Sequence, residues 1–94
     1  MNTFTEENYL KAIYKLSEQS KDGVSTNAIA EKLSTKASTV TDMLKKLSEK
    51  KLINYRKYQG VTLTPTGSKI AINIIRKHRL WEYFLVDKLM FDWD

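Results

Sequence analysis

Apolar residues in this chain recur mostly three or four positions apart, the spacing of helices that bury one face, and give way to β-rich runs only around residues 52–64. Tyr9, Ile13 and Leu16, with Leu10 and Tyr14 alongside, follow Thr5 as a helix cap and Glu6 and Glu7 as first-turn acids, which predicts a helix over 6–19. "SKDG" at 20–23 breaks it, and the glycine offers a positive-φ position. Ser25 or Thr26 then caps "NAIAEKL", a short helix with Ile29, Ala30 and Leu33 on its buried side. After the bend "STK", "ASTVTDMLKKLSEKK" sets Val40, Met43, Leu44 and Leu47 in a full apolar stripe on a third helix.

Two short helices joined by a tight bend make a helix-turn-helix. "LINYRKY", "QG" and "VTLT" follow as two β-rich runs around a glycine-containing turn, the pattern of a hairpin. The fold class is therefore mainly α with a small β-hairpin, a winged helix-turn-helix. Thr64-Pro65 repeats a helix start, Thr as cap and Pro at the first helical position. Ile70, Ile74, Leu80 and Phe84 carry the apolar pattern of the long helix beyond it. The closing "MFDWD" places Met90, Phe91 and Trp93 among the last five residues, where termini are usually small and polar.

Ninety-four residues suffice for one modest core. There is no cysteine, so disulfides, zinc ribbons and a thiol nucleophile are excluded and any metal needs N and O ligands. With neither a signal peptide pattern nor an apolar run of roughly 20 residues, a cytoplasmic protein is expected. Sixteen Lys and Arg against eleven Asp and Glu give a net charge of +5, which suits a polyanionic partner.

The position of that charge sharpens the reading. On the third helix the apolar stripe turns Ser38, Thr41, Asp42 and Lys45 outward, with Thr39 and Lys46 on the flank. Short hydroxylic side chains near a helix start let the backbone enter a major groove, and the lysines can reach phosphates. The helix start itself, at Lys36 to Ser38, can meet a phosphate. Asp42 would repel phosphates unless it accepts from a cytosine amino group or pairs with Lys45 or Lys46. Arg56 and Lys57, flanked by Tyr55 and Tyr58, give the hairpin a basic tip suited to a phosphate backbone or minor groove. A solvated helix face, and a hairpin edge guarded by charge, are the plainer readings of the same residues.

The single histidine, His78, has an acid four residues on, Glu82, so the two share one helix face. By spacing alone an ion pair is the simpler reading, since a cation needs more than two protein ligands.

The segments "EENYLKAIYKL", "ASTVTDMLKKL", "LTPTG" and "RKHRLWEYFLVDKL" resemble, in this order, the N-terminal half of the diphtheria toxin repressor (DtxR) family of metal-dependent repressors, which has manganese-sensing members. The resemblance runs from about residue 5 to the last. It implies a repressor that binds a palindromic operator in double-stranded DNA as a homodimer when Mn²⁺ or Fe²⁺ is bound. It also implies that His78 and Glu82 match ligand positions of iron sensors, and His78 one of manganese sensors. Asn8 stands where the family carries Met or Asp, and Lys11 where manganese sensors tend to carry Glu. A winged helix-turn-helix DNA-binding domain is thus expected over 1–75. Residues 76–94 would begin a linker helix towards a metal-binding and dimerisation domain beyond a truncated end. A winged-helix protein-interaction module is the alternative. With no Ser/His/acid constellation and no phosphate-cradling glycine loop, an enzyme is not expected.

Overall fold

The computed structural model describes residues 4–20, 22–56 and 60–87, and side chains as far as residue 80. Four helices and one hairpin follow in the order α1 (Phe4–Ser17), α2 (Thr26–Leu33), α3 (Ala37–Glu49), β1 (Ile53–Arg56), β2 (Gly60–Leu63) and α4 (Pro65–Asp87). The first helix starts earlier than its sequence signal. Thr5 lies inside α1 rather than capping it, and the helix ends at Ser17 instead of residue 19. "NTFT" holds more than one residue able to open a helix, and periodicity does not choose among them.

Ser25 caps α2 by accepting a hydrogen bond from the Ala28 N–H at 3.1 Å. The helix stops at Ser34, which adopts left-handed φ 52° and ψ 47°; its N–H and that of Thr35 bond back to the carbonyls of Glu31 and Ala30. That one residue turns the chain, and α3 begins after Lys36. Leu10, Ile13, Ile29, Val40, Leu44, Leu47, Val24 and Val61 are fully buried, so α1, α2, α3 and the hairpin share one core.

β1 and β2 pair antiparallel, Ile53 opposite Leu63 and Arg56 opposite Gly60. Val24, outside the β-rich runs of the sequence, forms a bridge with Val61 through two backbone hydrogen bonds of 2.9 Å. Gly60 permits this close pairing: its φ is +85°, and a Cβ there would come within 3.2 Å of the Gly23 carbonyl carbon.

Thr64 caps α4 as expected, accepting from the Gly67 N–H at 3.1 Å while its own hydroxyl donates to the Lys51 carbonyl at 2.9 Å. Gly67 rests directly on the Leu52 backbone, where a Cβ would collide with the carbonyl oxygen. Ala71 and Ile74 bury this first half of α4 against α1 and β2, with Ile70 partly covered. The expected apolar stripe does not continue into the core. Leu80 is 70% exposed, because the helix has by then passed the elements that could cover it. Phe84, Met90, Phe91 and Trp93 lie outside the residues whose side chains are described.

Candidate nucleic-acid interface

The third helix is amphipathic in the sense needed to present a face. Val40, Leu44 and Leu47 are fully buried, which leaves Ser38, Thr39, Asp42, Lys45 and Lys46 exposed on the other side. Lys36, at the cap position, is exposed as well and makes no side-chain cap bond, so the first N–H groups of α3 open towards solvent. Thr41 is only partly exposed, and its hydroxyl donates to the Ala37 carbonyl at 3.0 Å. Of the two fates considered for Asp42, pairing with a neighbour is not the one observed: it bonds to neither Lys45 nor Lys46.

Arg56 ends β1 with an exposed side chain, and Gly60, expected in the turn, is the first residue of β2. Lys57 and Tyr58 lie outside the described residues. Tyr55 is half-buried against the core and anchors the strand. β1 packs against α3, and Leu47, Ile53 and Val61 share one core, so the hairpin sits beside the helix.

A feature with no sequence signal braces α3 from behind. Glu6, expected as a first-turn acid of α1, is 5% exposed, and Lys50 at the end of α3 donates to its Oε2 at 2.6 Å. The two residues are 44 apart in sequence, and pattern alone does not bring them together. Val24 does carry a signal, being a β-branched residue directly before the helix cap Ser25.

His78 is exposed on the second half of α4. Its Nδ1 is 3.5 Å from the Nζ of Lys11 on α1. Asn8, one turn earlier on α1, is half-buried, and the Glu82 side chain lies outside the described residues. Among the described residues no group of three or more His, Cys, Asp or Glu could hold a metal ion. The one imidazole of the chain faces an ammonium.

Residues 1–61 match the sequence model of the iron-dependent repressor N-terminal DNA-binding domain, and residues 64–94 match that of the iron-dependent repressor metal-binding and dimerisation domain. The chain belongs to the iron-dependent repressor family. Relatives extend the point. The HTH-type transcriptional regulator MntR of Geobacillus thermodenitrificans is 41% identical over 85 residues, covering 90% of this chain and 60% of that protein. A solved manganese-dependent transcriptional repressor in complex with manganese superposes with a TM-score of 0.80 at 40% identity, over 94% of this chain and 40% of that one. The metal-dependent transcriptional regulator MtsR does so with a TM-score of 0.82 at 36% identity, over 93% of this chain and 40% of the other. The chain thus spans about 60% of the length of the curated MntR relatives it matches. As in these regulators, the fold is a winged helix-turn-helix. The α4 helix runs unbroken through residues 75 and 76 and lies wholly within the second family match, 64–94. No described helix is long and apolar enough to cross a membrane.

Proposed function

We propose that this chain is the DNA-reading part of a transcriptional repressor that acts as a homodimer on a palindromic operator and responds to a divalent metal, Mn²⁺ or Fe²⁺. The observation that carries the DNA assignment is the exposed face of α3: small hydroxyls at its start, lysines one to two turns later, and an uncapped N-terminus. Such a helix enters the major groove N-terminus first. Ser38 and Thr39 would face base edges, Lys36, Lys45 and Lys46 would reach phosphates, and the N–H groups of the first turn would meet a phosphate along the helix axis. Thr41, its hydroxyl already bonded, contributes its methyl to the same face. Unpaired Asp42 is free to accept from a cytosine amino group. Arg56, with Lys57 and Tyr58 beyond it, would lie along the flanking backbone or minor groove.

The metal response is supported by the second family match and by the manganese-bound relative. His78, Glu82 and Asn8 are the positions of this chain proposed to touch the ion, with further donors from outside it. The described residues do not complete such a site, and a cytoplasmic location follows only from the proposed role.

The test is a titration of the full-length protein against duplex operator DNA over a salt series. Binding should weaken steeply with salt, and Lys45→Ala with Lys46→Ala should lower the log–log slope by about 3.6 for a dimer on both half-sites, since four phosphate contacts are lost and each contributes roughly 0.9. An unchanged slope would remove α3 as the phosphate-contacting helix. Absence of salt-sensitive DNA binding in the parent protein would favour a protein-interaction module instead.

A further inference from the structure

His78 has two ring nitrogens, and the structure accounts for one of them. Nδ1 lies 3.5 Å from the Lys11 ammonium, across the seam where α1 packs on α4. An ammonium carries three donors and no acceptor, so Nδ1 meets it with its lone pair. The ring proton of the neutral imidazole then resides on Nε2. A divalent cation using this histidine needs a bare nitrogen. Nδ1 is covered by Lys11, and freeing Nε2 moves the proton to Nδ1, where it would point at the ammonium. Either route breaks the Lys11 contact first.

The surrounding charge acts in the same direction. Arg76, Lys77 and Arg79 flank His78 on α4, and Lys15 lies one turn beyond Lys11 on α1, all of them exposed. Glu7, one turn before Lys11 on α1, and Glu82, one turn after His78 on α4, are acids placed nearby by helix register. A second positive ion entering this field is repelled by the charge already there.

We propose that Lys11 is the resident cation of the α1–α4 seam: its ammonium holds His78 Nδ1, and a divalent metal gains His78 only by displacing it. A single charge within the fold thus performs the bridging between α1 and α4 that a metal would otherwise supply, and it raises the metal concentration at which His78 can respond. The biological meaning of this competition rests on the metal-responsive reading above; the contact itself does not.

The chain has one histidine, so side-chain ¹⁵N resonances report on His78 alone. The full chain, labelled at histidine and held near pH 8, where an ordinary imidazole is neutral, should show the tautomer protonated at Nε2. Lys11→Met and Lys11→Gln, which keep the stem and remove the charge, should shift the Nδ1 resonance. They should also bind Zn²⁺, the diamagnetic probe, at His78 at least about tenfold more tightly than the parent. Circular dichroism identifies any variant that fails to fold, and the two substitutions differ enough in polarity for one to serve if the other does not. Equal Zn²⁺ affinity at His78 in parent and variants, or an Nδ1 resonance that the substitutions leave in place, would overturn the proposal. Metal-free operator binding measured on the same samples separates the two readings: its absence throughout defeats the DNA assignment and leaves the His78 result standing.

Discussion

Gly67 is a residue at which two effects of one methyl group oppose each other. In an exposed helix interior, Gly→Ala stabilises by roughly 1 kcal/mol through backbone entropy. At Gly67 the new Cβ would collide with the Leu52 carbonyl oxygen, a backbone atom that cannot turn aside as a side chain can. Overpacking of this kind costs about 1 to 3 kcal/mol, so Gly67→Ala should be net destabilising, with a lower urea midpoint at unchanged slope. A rise in midpoint would show that α4 can lift away from Leu52 without loss. The motif "LTPTG" announced the helix start by its Thr and Pro. The need for its glycine was not readable, because the constraint comes from a carbonyl fifteen residues away.

Among the elements, α3 was the most readable, since its period fixes its buried stripe and therefore its outward face. Leu44 is fully buried in that stripe. Leu44→Ala should cost about 2 to 5 kcal/mol in denaturant unfolding, as a core truncation does, whereas Lys45→Ala and Lys46→Ala, next along the helix and exposed, should stay within about 0.5 kcal/mol. Comparable losses from all three would contradict the division of the helix into two faces. The hairpin was readable as a pair of strands but not as a three-part structure. Val24 joins it by a single bridge, too short to leave a period-2 signature. In α4 the apolar spacing extends to Phe84, yet among the described side chains burial stops near Ile74, because spacing reports a face and not whether anything lies opposite it. The seam at Lys11 and His78 was partly readable, as a departure from the family pattern, while the contact between the two residues required the fold.

For the molecule as a whole, the buried phenol of Tyr9 links stability to alkaline pH. Burial raises its pKa above the ordinary 10.0. An unfolded chain therefore ionises this group first as pH rises, binding fewer protons than the folded chain, and stability declines above about pH 10. Tyr9→Phe should narrow the fall in unfolding free energy between pH 8 and 11 relative to the parent; an identical fall in both would assign the loss to other groups. A different consequence follows from the way α4 is seated. Thr64 and Gly67 fix its first turn to backbone atoms of Lys51 and Leu52, just beyond α3, and twenty further residues carry it roughly 30 Å onward. Over such a lever, a tilt of only about 5° at the pivot moves the far end by roughly 2 to 3 Å, close to the ~3.4 Å rise of one base step. In a dimer of the proposed kind, the distance between two reading heads would be ruled by the angle at a glycine, and the operator's half-site spacing would be its imprint in the genome.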